Sequence, residues 1–277
     1  MLTRNSRAYY RLFFAYLCVF LNHRFVKNVF GQWIFIKYLL ISILGAVTWP
    51  RFVWTNKSVV AGMEVLKKLP RENVLFVSNH QTYFADVALM YHAFSAAKWN
   101  MKRGIRNPIY LLAPKLNVYY VAARETMQSG FIPKLFSYGG AITVQRTWRE
   151  AGKDIQREVN LDDTENIGKA VKSGWLVTFP QGTTKPFEKG RKGTAHIIKQ
   201  HRPVVVPVNI DGFRRAFDKK GLKIKMPDSR LLMKFYEPLV IDYEASPEDI
   251  LAQVMRAIKQ SPEFIKVPPP KPEEGEK

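Results

Sequence analysis

The sequence predicts an α/β fold, a mostly parallel sheet flanked by helices, and two observations carry that prediction. Short runs rich in β-branched and aromatic residues recur along the chain, bounded by Gly, Pro or Asn. The segments between them are long enough for crossover helices, the connection that joins parallel neighbours. The predicted strands are RFVW and SVV (51–60), NVLFVS (73–78), AITVQR (141–146), WLVTFP (175–180), VVVPVNI (204–210) and LLMKFYEPLV (231–240). A length of 277 residues fits one domain with an appendage. We divide the chain into N-terminal helices (1–54), an α/β domain (55–262) and a polar tail (263–277).

Two apolar runs precede the strands. LFFAYLCVFL (12–21) follows Arg4, Arg7 and Arg11 and ends at the polar NHR of 22–24. A basic start and an apolar run resemble a signal peptide, but no small-x-small cleavage pattern follows, so the run is assigned to the mature chain. WIFIKYLLISILGAVTW (33–49) contains a single charge, Lys37, and has the short edge of the length that spans a hydrocarbon core. Flanking Arg residues, with Trp33, Tyr38, Trp49 and Trp54, predict a membrane-associating helical pair that lies at or dips into an interface.

Later elements follow the same logic. MYHAFSAAKW (90–99) packs as a helix against the sheet or lines an acyl groove. The segment 149–167 is charged and lacks an apolar period, which predicts an exposed helix or excursion. A helix from Pro247 to about Gln260 has Ser246 as N-cap and acids in its first turn. The tail VPPPKPEEGEK predicts disorder.

Lys and Arg exceed Asp and Glu by 43 to 23, a formal charge of +20. That excess requires an anionic partner, which composition leaves open among nucleic acid, an anionic membrane surface, and acidic substrates or carriers. The single cysteine, Cys18, forms no intramolecular disulfide and has no partners for a zinc cluster, consistent with a reducing compartment.

NHQTYFAD (79–86) is the first stretch that carries chemistry. Asn79 and His80 lie just past a buried strand, at the carboxyl edge where open α/β sheets bind ligands. An imidazole there acts as a general base when a carboxylate holds its far nitrogen in one tautomer, and Asp86 is the nearby acid. A lone His followed by Asp is more often structural, so the other blocks decide. GGAITVQR (139–146) ends a strand with Arg146, FPQGTTKP (179–186) follows another strand, and VVVPV (204–208) forms a further one.

In this order and spacing the four blocks resemble the glycerolipid acyltransferase family, to which lysophosphatidic acid acyltransferase belongs. The resemblance covers roughly 55–240. It implies that His80 deprotonates an acceptor hydroxyl for attack on an acyl thioester, that Asp86 orients the imidazole, and that neither a metal nor a cofactor is used. Acyl-CoA or acyl-ACP would be the co-substrate. Asn79, Arg146, Gln181, Gly182, Thr183, Thr184 and Lys185 fall in the family's blocks and are expected at the substrate. Arg124, in VAARE, lies about where the family keeps a basic residue.

Three departures stand out. The family places four residues between His and Asp, whereas five (QTYFA) stand here. In a continuous helix one extra residue turns the acid by about 100°, so the pair requires a loop or bulge to meet. Gln181 replaces a glutamate and carries no charge. Thr184 replaces the arginine that in the family contacts lysolipid phosphate; the adjacent Lys185 offers a point charge without a bidentate fork. Lys189, Arg191 and Lys192 precede a helix over TAHIIKQ, a cationic helix start suited to phosphate or to plain solvation. His23, His92, His196 and His201 have no acid at motif spacing and are expected to be structural or exposed.

The expected activity is transfer of a fatty acyl group to the hydroxyl of a membrane lipid, most simply lysophosphatidic acid. The expected partners are that lipid, an anionic acyl carrier and a membrane surface, with the active site on the cytoplasmic side. The altered third block leaves a phosphate-free acceptor, such as an N-acyl amino acid lipid, as the rival acceptor. A non-catalytic basic membrane-binding protein is the rival of another class. No nucleic-acid partner is expected, since the chain has no RNP-like signature or other binding motif.

Overall fold

The computed structural model describes residues 26–112, 114, 117–128, 138–145, 149–150, 153–154 and 160–265. The first apolar run (12–21), His23, Arg146 and the tail beyond 265 lie outside the described residues. Nine strands are described: β1 (Lys57–Ala61), β2 (Val74–Ser78), β3 (Val118–Ala123), β4 (Ala141–Val144), β5 (Arg149–Glu150), β6 (Lys153–Asp154), β7 (Trp175–Thr178), β8 (Val204–Asp211) and β9 (Arg230–Phe235). Seven form one sheet in the order β1-β9-β8-β2-β7-β3-β4. From β8 to β4 every neighbouring pair is parallel, while β9 runs antiparallel to β8 and carries β1 parallel to itself.

The central strand β2 shows why its sequence is a continuous apolar run. Val74 and Phe76 enter one core with Trp49, Phe52, Leu89 and Phe94, and Leu75 and Val77 enter a second with Val171, Ile198 and Val254. A strand buried on both faces gains nothing from polar alternation. The first core is covered by α1 (Ile34–Val53), α2 (Met63–Lys68) and α3 (Ala85–Lys98); the second by α5 (Leu161–Ser173), α6 (Lys192–His201) and α8 (Pro247–Ala257), with the short α4 (Arg124–Gln128) and α7 (Phe213–Ala216) at the sheet edge.

Several sequence expectations are corrected. RFVW (51–54) is not a strand: α1 runs through Pro50 to Val53, because Lys37, Ile41, Gly45, Trp49 and Phe52 bury one helical stripe on the domain. Trp49 is therefore a core residue, its indole N–H donating to Ile105 O at 2.7 Å, and only Trp33 and Trp54 of the expected aromatic flank are exposed. Lys37 is inside as well; its ammonium donates to Asn117 Oδ1 and Val118 O, both at 2.8 Å, over the Tyr119 ring. β3 was absent from the predicted strands. The 149–167 segment splits into the β5–β6 hairpin and the start of α5, capped by Asn160 Oδ1, which accepts from Asp162 N at 2.8 Å. Ser246 caps α8 as expected, accepting from Asp249 N, and that helix ends at Ala257.

α1 is the one described helix long and apolar enough to cross a membrane by length and composition. Its buried stripe lies on the domain, while Ile36, Leu39, Ile43 and Val47 face outward.

Candidate active site

The carboxyl ends of the parallel strands β8, β2, β7, β3 and β4 share one edge of the sheet, and the sequence motifs gather there. β2 delivers Asn79 and His80. Both polar atoms of the Asn79 amide are committed: Nδ2 donates to Ile210 O at 2.9 Å, and Oδ1 accepts from Ile210 N at 2.8 Å. Asn79, expected at the substrate, ties the loop to the end of β8 through these two bonds.

His80 and Asp86 meet despite the extra residue. His80 Nδ1 lies 2.9 Å from Asp86 Oδ2, and the carboxylate is fully buried at the start of α3. The intervening turn explains how. Gln81 N and Thr82 N donate to Asp86 Oδ2 at 2.6 and 3.0 Å, while Tyr83 N and Phe84 N donate to the carbonyls of Lys219 and Lys220 at 3.1 and 3.0 Å. Thr82 Oγ1 completes the set by donating to Asp86 Oδ1 at 2.7 Å. All four backbone N–H groups of the turn before α3 are thus satisfied, two by the Asp86 carboxylate and two by the carbonyls of Lys219 and Lys220. The loop that supplies the two carbonyls needs glycine at its closest approach: Gly221 has φ +78°, and a Cβ there would stand 2.6 Å from Ala85 N.

With its Nδ1–H donating to the buried carboxylate, the imidazole presents Nε2 as the acceptor, and no described residue hydrogen-bonds that atom. Phe179, from the end of β7, stacks on the ring at 3.8 Å between centroids and 21° between planes. One contact fixes the edge of the imidazole and the other its plane.

The third block is held by hydrogen bonds that account for its departures. Gln181 is buried, and its Nε2 donates to Glu188 O at 3.0 Å and to Gln260 Oε1 at 3.1 Å. A glutamate supplies neither donor, so the amide suits this position. Gly182 turns the chain at φ +62°, its N–H donating to Phe179 O at 2.9 Å. Thr183 Oγ1 accepts from Lys185 N at 3.3 Å, and the Lys185 side chain is exposed. Thr184 is buried, and its carbonyl accepts from the Arg214 guanidinium.

Arg214 was missed by sequence reasoning. It stands on α7, just after the VVVPV strand, and its backbone N–H donates to Gln81 Oε1 at 3.2 Å. An exposed guanidinium from another element therefore reaches the segment where the family arginine is missing. The signal available in sequence was the Arg-Arg pair after Gly212, which has no motif spacing.

Arg124 is less free than expected. At the end of β3 it pairs with Asp163 at 3.2 Å, and Asp163 Oδ2 also accepts from Gln145 N at 2.7 Å. It is two strands from β2, roughly 10 Å along the sheet edge. Arg146 follows β4 but lies outside the described residues. At the start of α6, Lys192 pairs with Glu248. His92 is structural as expected: it sits between Thr48 Oγ1 at 2.9 Å and Tyr110 Oη at 3.0 Å, and burial pulls its pKa down to about 3. Among the described residues no cluster of three or more His, Cys, Asp or Glu is arranged to hold a metal.

The acyltransferase family profile matches residues 57–211, more than half of the chain. The chain belongs to the acyltransferase family. The matched span runs from β1 to the end of β8 and contains His80, Asp86 and the third block. Among solved structures this acyltransferase is similar to PlsC, the 1-acyl-sn-glycerophosphate (LPA) acyltransferase of Thermotoga maritima, with a TM-score of 0.54 over 92% of this chain and 90% of that one. At 19% identity that likeness shows the fold. No curated protein is similar enough in sequence to match.

Proposed function

We propose that this acyltransferase moves a fatty acyl group from an acyl thioester, acyl-CoA or acyl-ACP, to the hydroxyl of a lysophospholipid, with lysophosphatidic acid giving phosphatidic acid. The observation that carries this reading is the His80–Asp86 pair at 2.9 Å, with Nε2 unpartnered among the described residues at the ligand edge of the sheet. The acceptor O–H gives its proton to His80 Nε2 as its oxygen attacks the thioester carbonyl. Asp86 balances the imidazolium that forms, and His80 then returns the proton to the departing thiolate. A neutral hydroxyl is a weak nucleophile, and a positioned base supplies typically about 10²–10⁴ in rate.

Arg214 and Lys185 supply the cations for an anionic headgroup beside this base, and Arg214 stands in for the guanidinium that position 184 lacks. The apolar pocket between α1 and α3, lined by Ile41, Gly45, Val87, Ala88, Leu111 and Tyr120, suits an acyl chain. The outward apolar face of α1 suits the membrane interface, with the domain on the cytoplasmic side where the carriers are. The T. maritima neighbour is a 1-acyl-sn-glycerophosphate acyltransferase, which supports lysophosphatidic acid as the acceptor.

The test offers the purified chain an acyl thioester with lysophosphatidic acid, other lysophospholipids, or N-acyl amino acids bearing a hydroxyl, and measures product. Turnover of lysophosphatidic acid is expected, with His80→Ala inactive. Reaction of the amino-acid lipid alone overturns the phosphate assignment, and turnover by the folded His80 variant overturns the mechanism.

A further inference from the structure

The backbone of the loop Asp218–Asp228 (DKKGLKIKMPD) braces the His80–Asp86 turn, while most of its side chains face outward. Lys219, Lys220, Lys223 and Lys225 are exposed, and among the described residues none pairs with a carboxylate. Both acids of the loop are already engaged. Asp218 Oδ1 accepts from Leu222 N and Lys223 N at 2.8 and 2.9 Å, closing the turn, and Asp228 pairs with Lys57 at 3.3 Å. Between the lysines, Ile224 and Met226 are exposed, Met226 at 52%.

The loop adjoins the end of α1. The Arg51 guanidinium donates to Leu222 O, Asp228 N donates to Thr55 O at 2.7 Å, and Trp54 between them is 72% exposed. The outward apolar face of α1 therefore continues, through Trp54, into a patch of alternating lysines and apolar side chains. Charged side chains alone would fit an acidic protein equally well. Exposed Ile and Met between lysines, joined to a tryptophan, fit a surface that is anionic at the headgroups and apolar beneath.

We propose that Asp218–Asp228 is a second bilayer contact of this enzyme, selective for anionic phospholipid. Its place has a consequence for catalysis, because the carbonyls of Lys219 and Lys220 brace the turn between His80 and Asp86. A loop seated on the headgroups holds that turn, and the His80 edge of the sheet, next to the membrane that supplies the acceptor. The proposal rests on the membrane-lipid reading above, and the experiment separates the two.

The full chain and its Lys223→Gln/Lys225→Gln variant are sedimented with phosphatidylcholine vesicles, with and without phosphatidylglycerol. Neither residue braces the His80–Asp86 turn, so turnover of a detergent-dispersed acceptor reports that the turn is intact. At roughly a fivefold gain per lysine near an anionic surface, the variant loses about 25-fold in partitioning to the anionic vesicles and little to the neutral ones. Ile224→Ser/Met226→Ser loses binding to both kinds. Equal binding of the double lysine variant and the parent to anionic vesicles overturns the loop proposal and leaves the membrane reading standing. Failure of the parent to bind any vesicle overturns both. Unchanged vesicle binding together with lost binding of purified acidic acyl carrier protein assigns the loop to that carrier and overturns the bilayer contact.

Discussion

Asparagine at position 86 separates the charge of the acid from its geometry. Asp86 is fully buried and accepts four hydrogen bonds, from His80 Nδ1, Gln81 N, Thr82 N and Thr82 Oγ1, of which the first three converge on Oδ2. An asparagine keeps its carbonyl oxygen at that point and turns its NH2 toward Thr82 Oγ1, a hydroxyl that accepts as well as donates. The turn therefore persists. Hydrogen bonds to a charged acceptor contribute about 1.5–3 kcal/mol and those to a neutral one about 0.5–1.5, so three bonds weaken by about 1 kcal/mol each. Removing a buried charge offsets part of that loss, leaving a net cost of about 1–2 kcal/mol. Turnover should fall much further, by about 10²–10⁴, because the imidazolium loses its counter-charge. Thiol release from acyl-CoA in the presence of lysophosphatidic acid measures the rate, and a thermal melt measures the fold. A folded Asp86→Asn enzyme with near-parental turnover refutes the assignment of Asp86 to the base.

Further predictions test the surroundings of the site. Gln181→Glu restores the family residue but sets a buried carboxylate against Glu188 O and Gln260 Oε1; it should cost about 3–5 kcal/mol and lower Tm by about 10 °C, and an unchanged melt would show that the two amide bonds do not matter. Arg214→Gln should raise KM for lysophosphatidic acid about 10- to 100-fold with a smaller change in kcat, and an unchanged KM removes Arg214 from the headgroup site. His92 has a folded pKa near 3 against 6.5 unfolded, so the unfolded chain takes up the proton first as pH falls. Stability is therefore full above about pH 6.5 and declines toward pH 3, by roughly 3 kcal/mol at pH 4.5. His92→Gln should flatten that part of the denaturation profile, and an equal slope in the variant would assign the acid sensitivity to other groups.

The local chemistry of this protein was legible in its sequence. Continuous apolar runs predict strands buried on both faces, and β2 and β7 are such strands. The blocks at their carboxyl ends identify the family because residue type and chain order are properties of the sequence itself. Ser246 and its acids mark the start of α8 for the same reason, since a cap acts within one turn. Relations across the chain were decided only by the tertiary structure. Pro50 marks a break in local terms, yet α1 continues past it to Val53, with Phe52 buried in the core. The five-residue spacing from His80 to Asp86 conflicts with helical geometry until Lys219 and Lys220, far along the chain, supply two carbonyls to the turn. Gln181 has the appearance of a lost catalytic-block charge until Glu188 O and Gln260 Oε1 show that a donor is required there. Arg214 reaches residue 184 only because α7 follows β8, which lies beside β2. Hydrogen-bond partners and charge placements of this kind depend on distances between segments remote in sequence, and those distances exist only once the sheet has ordered its strands.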